Sequence, residues 1–316
     1  MRPFFLLLCL PLIGAAPPEE QIVDGDNTVA VKIAGRPLRL RIEAAAPGLP
    51  LLPRELATDL SLKGRGLLAL GVGYHIGNET FLGRTANVQF EWPGNKPARR
   101  RVGWLSRDYR PFTDGTIGPA GVPAPIVRFQ LHPRREGEVP LALPLDIPGG
   151  IAGALFGDWF FLDGEIDIGG EPVKLRFDPH SAVTLATAPT ALAIKRAQGG
   201  TLTNVTGDQE IAYGIVRPYR VLRLARPLIL GGIALSNVGV RITDVDMIGR
   251  DPVEKESAAQ DPDEVVVVAK NKKRARKGII TLGADALVGC SEIVFDKPAK
   301  QVKLSCVGQG GLEAQR

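Results

Sequence analysis

Two acidic residues occupy matched positions in an internal repeat of the sequence. Residues 31–43 read VKIAGRPLRLRIE and residues 166–178 read IDIGGEPVKLRFD, and the two segments align without gaps at an offset of 135 residues. Glu43 ends the first copy and Asp178 ends the second. Carboxylates act as general acids and bases, so each copy supplies one candidate group for acid–base chemistry.

Other kinds of catalytic site have little support in the sequence. The chain contains no G-x-S-x-G motif, which argues against a serine hydrolase of the nucleophile-elbow type. His75, His132 and His180 are scattered, without an H-E-x-x-H motif or a Cys/His cluster. No glycine-rich loop of the phosphate-binding kind follows a strand pattern. We therefore predict neither a metal site nor a bound cofactor.

Each repeat copy has the pattern of a strand, a glycine-containing turn and a second strand that ends at the acid. The second strands alternate apolar and charged residues, as in Leu38-Arg39-Leu40-Arg41-Ile42, which is typical of a strand with one buried face. A second matched pair follows, DGTIG ending at Gly118 and ITLG ending at Gly283. This pair predicts a structural role for both glycines. The offset of the second pair is longer, and the charged segment 250–277 nearly accounts for the difference.

The composition and the repeat together predict an all-β chain of two lobes. The 316 residues include 37 glycines and 26 prolines, which is typical of many short strands joined by turns. We place the first lobe at residues 22–135, a connector at 136–161 and the second lobe at 162–309, with 250–277 as a charged loop. Residues 1–16 have the pattern of a secretory signal peptide. The protein is therefore expected to be exported, to the periplasm or outside the cell, and not to span a membrane.

Cys290 and Cys306 are predicted to form a disulfide. They lie at equal distances from Pro298, within a segment that has the pattern of a β-hairpin, so they would face each other across its strands. An oxidising compartment favours their pairing. Two separate buried thiols remain the alternative.

The positive charge of the chain is local. The formal net charge is +5, and the densest basic run is KNKKRARK at residues 270–277, followed by Arg99-Arg100-Arg101. Basic runs occur in proteins that bind nucleic acid, but neither zinc spacing nor an aromatic stacking motif accompanies these. We interpret them as solvated loops and predict no nucleic-acid partner.

Taken in order, these motifs resemble those of the aspartic peptidases of the retropepsin and pepsin type. The resemblance rests on residues 177–181 (FDPHS), 228–238 (LILGGIALSNV) and 281–287 (TLGADAL) in the second half, and more weakly on residues 43–46 (EAAA) and 116–118 (TIG) in the first half. It covers most of residues 25–305. It implies an all-β fold of two pseudo-symmetric lobes with a cleft between them, in a chain that is monomeric because it carries both lobes.

The resemblance also implies roles for the two acids. In this family two carboxylates hold one water and share one proton, so that one acts as base and the other as acid. Glu43 and Asp178 are the corresponding catalytic residues here. The family has a Thr or Ser after the acid, where this chain has Ala44 and Pro179, neither of which carries a hydroxyl. Ala45 and His180 replace the glycines that follow.

Four further residues are candidate substrate-binding residues by the same resemblance. Tyr74 and Tyr213 fall where a flap hairpin would close over a peptide, although both fit ordinary hairpin aromatics as well. His180 and Ser181 follow the acid of the second copy. His180 could hold a proton near neutral pH or be an ordinary polar residue.

Three functions fit the sequence. The first is an exported protein that binds an extended peptide or protein segment in the cleft, with weak or no hydrolysis because its motifs are degraded. The second is an active aspartic endopeptidase that uses Asp178 with Glu43. The third is a structural or interaction protein of the cell envelope that makes contact through residues 250–277.

Overall fold

The computed structural model describes residues 19–64, 72–76, 79–106, 109, 111–147, 157–241 and 278–307. The predicted signal peptide at 1–16 and the charged loop at 250–277 lie outside the described residues. Strands dominate the described chain and helices are few and short, so the all-β prediction is confirmed. Within these ranges, no helix has the length and apolar character that crossing a membrane requires.

The described strands range in length from two residues in β4 and β13 to sixteen in β15. In chain order, the strands up to residue 146 are β1 (Glu20–Val23), β2 (Thr28–Ile33), β3 (Arg36–Ile42), β4 (Leu51–Leu52), β5 (Val72–Ile76), β6 (Glu79–Glu91), β7 (Ala98–Leu105), β8 (Gly115–Ile117), β9 (Ile126–Gln130) and β10 (Glu138–Asp146). Those that follow are β11 (Asp163–Ile168), β12 (Glu171–Phe177), β13 (Leu185–Ala186), β14 (Gly200–Ala212), β15 (Ile215–Leu230), β16 (Ile233–Arg241), β17 (Gly278–Leu282), β18 (Cys290–Asp296) and β19 (Gln301–Val307). The α-helices are α1 (Arg54–Asp59), α2 (Ala188–Gln198) and α3 (Ala284–Leu287), and Pro119–Gly121 and Gly157–Trp159 form 3₁₀ turns.

The hairpin predicted in each repeat copy forms as expected. A two-residue turn joins β2 to β3, with Ala34 at φ 51° and Gly35 at φ 81°, and another joins β11 to β12 at Gly169 and Gly170, with φ 63° and 86°. Two consecutive residues with positive φ match the twist of the strands they connect, which explains the glycines in these turns. The apolar residues of β3 and β12 are buried on one face, as the alternation predicts.

The sequence repeat is also a repeat of strand pairing. The seven-stranded sheet has the order β2-β3-β8-β4-β7-β6-β5, and part of the twelve-stranded sheet has the order β11-β12-β17-β13-β16-β15-β14. The two orders correspond strand for strand. The registers correspond as well, because Ile42 pairs with Ile117 in parallel strands and Phe177 pairs with Leu282 in the same way.

The rest of the twelve-stranded sheet joins distant parts of the chain. It has the order β1-β9-β18-β19-β10, which continues into β11. Strand β9, from the first predicted lobe, pairs with β18, from the second. Strand β10 lies in the predicted connector and pairs with β19 over seven positions, from Glu138 opposite Val307 to Pro144 opposite Gln301. The connector is therefore partly built into the sheet.

The hairpin of β18 and β19 carries the predicted disulfide. Cys290 and Cys306 are directly opposite each other in the register and are bonded, with their Cα atoms 3.9 Å apart. The prediction is confirmed, and the alternative of two separate thiols is wrong. Phe295 in the same hairpin packs edge-on against Phe129 and Phe177, so the bond lies beside a core that both halves of the chain share.

The interpretation of Arg99-Arg100-Arg101 as part of a solvated loop is wrong. These residues lie in β7, and the Arg100 side chain is only 18% exposed. Arg100 donates to the carbonyl of Gly121 at 2.5 Å and lies over the ring of Phe90. Carbonyl acceptors and an aromatic face satisfy the guanidinium, which explains how a basic cluster is built into a strand.

Candidate functional site

Matched strand ends position the two acids. The backbone N–H of Glu43 donates to the carbonyl of Ile117 at 3.0 Å, and that of Asp178 donates to the carbonyl of Leu282 at 2.9 Å. Each acid therefore leaves its strand at the same point of the parallel pair. The prediction that the repeat gives these residues equivalent places is confirmed by these bonds and by the register.

Gly118 and Gly283 lie against the loops that carry the acids. A Cβ atom on Gly118 would lie 1.9 Å from the carbonyl oxygen of Ala46, and a Cβ on Gly283 would lie 2.8 Å from that of Ser181. Ala46 and Ser181 are themselves repeat equivalents, since both lie three residues after the acid. Only a residue without a side chain permits this approach, so both glycines hold the acid loops in place.

Glu43 and Asp178 come close enough to influence each other. Burial raises the pKa of Glu43 to about 7; the charge of Arg41 opposes this, and the charges of Asp178 and Glu210 add to it. Burial also raises the pKa of Asp178, although its Oδ1 accepts hydrogen bonds from the backbone N–H groups of His180 at 3.1 Å and Ser181 at 3.3 Å. One carboxylate from each copy thus enters a common electrostatic environment.

Arg41 is a cation that acts on both acids. Its Nε atom lies 3.7 Å from Oε1 of Glu43, and 20% of its side chain is exposed. Its charge lowers the pKa of Glu43, of Asp178 and of His180. In the sequence, Arg41 is part of the alternating pattern of β3. Its position two residues before Glu43, on the same strand face, was the signal that could have identified it.

Hydrogen bonds hold the side chains of His180 and Ser181, which follow Asp178 in the chain. Burial, and then the charge of Arg41, lower the pKa of His180, and its Nε2 atom is hydrogen-bonded to Nδ2 of Asn27 at 3.0 Å. Asn27 belongs to the first half of the chain, so this contact joins the two halves near the acids. The hydroxyl of Ser181 donates to the carbonyl of Val183 at 2.9 Å.

Tyr213 lies at the turn between β14 and β15, where the resemblance predicts a flap. Its ring is buried, only 7% exposed, and packs edge-on against the ring of Tyr109 at 5.3 Å. Leu49, Leu51 and Leu105 complete this cluster. The Tyr213 ring therefore packs against residues from the first half of the chain. Tyr74 lies in β5 opposite Phe81, and its side chain is outside the described residues.

Tyr109 and Glu210 also lie near Glu43 and influence it. The Tyr109 hydroxyl donates to the carbonyl of Leu51 at 3.2 Å, and burial together with the charge of Glu43 raises its pKa. Glu210, near the hairpin turn, accepts from the backbone N–H of Gly214 at 2.7 Å. Neither residue belongs to a recognisable motif, so only their positions in space reveal them.

A small cavity adjoins Asp178. It measures about 80 Å³, and its lining includes Arg176, Asp178, Ser181, Glu210 and Ile211. Its lining joins the strand end that carries Asp178 to the β14–β15 hairpin, which contributes Glu210 and Ile211. Across the described ranges, no group of three or more His, Cys, Asp or Glu side chains is placed to hold a metal ion.

Comparison with protein-family models and with curated proteins finds no match to this chain. Its function is therefore inferred from the geometry of the site.

Proposed function

We propose that this chain is an exported, two-lobed protein of the aspartic-peptidase type that binds an extended peptide segment at the Glu43–Asp178 pair, with weak or no hydrolysis. One observation carries the proposal: equivalent strand ends bring one carboxylate from each copy into a shared electrostatic environment. The Cys290–Cys306 disulfide supports export, since such bonds persist in oxidising compartments.

Weak hydrolysis follows from what surrounds the acids. Peptide hydrolysis by a carboxylate pair requires one water placed between them and one shared proton. Ala44 and Pro179 follow the acids and have no hydroxyl to align the two loops. Glu43 is one methylene longer than an aspartate, and a displacement of about 1 Å at a reacting group can reduce the rate about a hundredfold.

Peptide binding is supported by the edges of the sheets. Among the described residues, β14 is the last strand of the twelve-stranded sheet and β5 is the last strand of the seven-stranded sheet. An edge strand offers unpaired backbone groups to which an extended peptide can add as a further strand. The cavity beside Asp178 lies against the β14–β15 hairpin, since Glu210 and Ile211 are part of its lining.

An active endopeptidase that uses Asp178 with Glu43 is the second candidate. The observation in its favour is the pKa of Glu43, about 7, which leaves a proton on Glu43 in mildly acidic solution. If Asp178 is ionised over the same range, the pair carries one proton in total, as the chemistry requires.

The two candidates are separated by measuring binding and cleavage on one set of samples. Wild-type protein, Asp178→Asn, Glu43→Gln and the exposed-site control Glu136→Gln are incubated with a mixed peptide library from pH 3 to pH 8. We expect the wild type and Glu136→Gln to retain a subset of the peptides with little cleavage. Asp178→Asn should weaken retention at least about tenfold, the loss expected from removing a charged hydrogen-bonding group.

Three outcomes decide between the candidates. Failure of the folded wild type to retain any peptide across this pH range would contradict the proposal. Efficient cleavage by the wild type that both acid variants abolish would establish the second candidate. Cleavage that neither variant reduces would show that another site, or another protein, is responsible.

A further inference from the structure

Each copy of the repeat has an arginine two residues before its acid. Arg41 and Arg176 are equivalent at the offset of 135, and their strands β3 and β12 have the same register against β8 and β17. In a strand, residues two apart lie on one face, so each arginine shares a face with the acid that ends its strand.

The arginine of the second copy is neutralised by its own sheet. Arg176 donates from Nε and Nη2 to the two carboxylate oxygens of Asp163, at 2.8 and 2.9 Å. Asp163 lies in β11 and its side chain is 2% exposed. The guanidinium also stacks over the ring of Phe161, 3.8 Å from its centre. A bidentate pair of this kind satisfies both the charge and the geometry of an arginine.

The first copy lacks this partner. The repeat equivalent of Asp163 is Thr28, which lies directly opposite Arg41 in the β2–β3 hairpin. The Thr28 hydroxyl donates to Asp26 at 2.8 Å and accepts from Arg39 at 2.9 Å, so it is engaged elsewhere. Nε of Arg41 is buried and has no hydrogen-bond partner among the described residues.

The positive charge of Arg41 therefore acts on the acid pair. Nε of Arg41 lies 3.7 Å from Oε1 of Glu43. The charge of Arg41 also lowers the pKa of Asp178 and of His180, which lie after β12. Among the described residues, the other titratable groups that face the pair are His180, Glu210 of the β14–β15 hairpin and Tyr109, whose pKa the charge of Glu43 helps to raise. Among these groups, Arg41 is the permanent cation.

We propose that Arg41 is a positioning residue that sets the pH at which the Glu43–Asp178 pair can hold a single proton. Arg41 does this by placing its positive charge beside the pair, whereas the equivalent Arg176 pairs with Asp163. This inference rests on the proposed function, because a single shared proton is what separates a pair able to catalyse from one that only binds. With Arg41 present, the pair loses that proton at lower pH, which restrains hydrolysis in neutral solution.

The test is a titration of the carboxyl groups in the full-length protein without peptide. The carboxyl carbons of Glu43 and Asp178 are followed by ¹³C NMR from pH 3 to pH 9, and their signals are assigned with Glu43→Gln and Asp178→Asn. An opposite charge within about 4–6 Å lowers a carboxyl pKa by about 1–3, so Arg41→Met should raise the upper midpoint of the pair by about one pH unit or more. Arg41→Lys, which keeps the charge, should stay near the wild type.

Two further variants separate charge from structure. Thr28→Asp installs the partner that Arg176 has, and it should move the midpoint upwards while Arg41 remains in place. Arg39→Met is the matched control, because Arg39 lies on the same strand but pairs with the exposed Asp26 at 2.6 Å. It should leave the midpoint unchanged.

A folded Arg41→Met protein with the wild-type midpoint would overturn the inference. If Arg41→Met does not fold, Thr28→Asp decides, and an unchanged midpoint there overturns it equally. The titration needs no peptide, so its result does not depend on whether the protein binds one. A shifted midpoint in a protein that retains no peptide would uphold the role of Arg41 and contradict peptide binding.

Discussion

Replacing Glu43 by Gln should stabilise the protein in neutral and alkaline solution. Burial raises the pKa of Glu43 from 4.5 to about 7 in the folded protein. The folded state therefore binds this proton more tightly than the unfolded state does. Such a group contributes stability that is fully present below about pH 4.5 and is lost as the pH rises through about 7. Glutamine has the shape of the protonated acid and cannot ionise, so the variant should not show this loss.

The pKa change sets the size of the effect. Each unit of change in pKa corresponds to 1.36 kcal/mol. The rise in the pKa of Glu43 from 4.5 to about 7 therefore corresponds to at most about 3 kcal/mol of unfolding free energy. Solvent reaches part of the group, since 29% of the Glu43 side chain is exposed, and this screening reduces the value. We expect the contribution of Glu43 to fall by about 1–3 kcal/mol between pH 5 and pH 8.

Urea unfolding at pH 5, 6, 7 and 8 measures this contribution as the difference between wild type and Glu43→Gln. Asp178, with a raised pKa, adds a loss of the same sign, and His180, with a lowered pKa, adds a gain with rising pH. To a first approximation both are present in both proteins and cancel in the difference. Glu136→Gln, at an exposed position, should follow the wild type. A variant that is less stable than the wild type at pH 8, or whose difference from it does not change with pH, would refute the reasoning.

Three further predictions concern contacts that hold the fold, each measured by urea unfolding. Asp163→Asn should lower the unfolding free energy by about 3 to 5 kcal/mol, because it leaves Arg176, whose side chain is only 15% exposed, without its counter-charge. Replacing Cys290 and Cys306 together by Ser should lower it by about 3 kcal/mol, with the reduced wild type matching the variant. Gly118→Ala should lower it by about 3 kcal/mol through a clash with a backbone carbonyl, whereas Gly64→Ala, where a Cβ finds its nearest atom at 3.4 Å, should change it little.

Local patterns in the sequence predicted much of the fold. Period-2 alternation identified the buried faces of β3 and β12, and the turn glycines identified the hairpins, because strand geometry and positive φ depend on neighbouring residues alone. The spacing of Cys290 and Cys306 about Pro298 predicted a disulfide for the same reason. The strand pairing of the two copies follows from the repeat, since similar segments fold in similar ways.

The candidate site could be predicted only in part. The repeat identified Glu43 and Asp178 as equivalent, and the structure places both at the ends of matched strands. The sequence repeat could not identify Glu210 or Tyr109. These residues reach Glu43 from distant strands and loops and belong to no motif. Nor could it show that the Tyr213 ring is buried against Tyr109, since that contact depends on where the β14–β15 hairpin lies.

The two arginines mark the boundary between what the sequence determined and what the tertiary structure decided. The sequence determined that Arg41 and Arg176 are equivalent and that each shares a strand face with an acid. The tertiary structure decided that Asp163 takes up the charge of Arg176 while that of Arg41 acts on the acid pair. The reason is physical: the effect of a charge depends on its distance from other charges and on the solvent between them, and only the packed chain sets both.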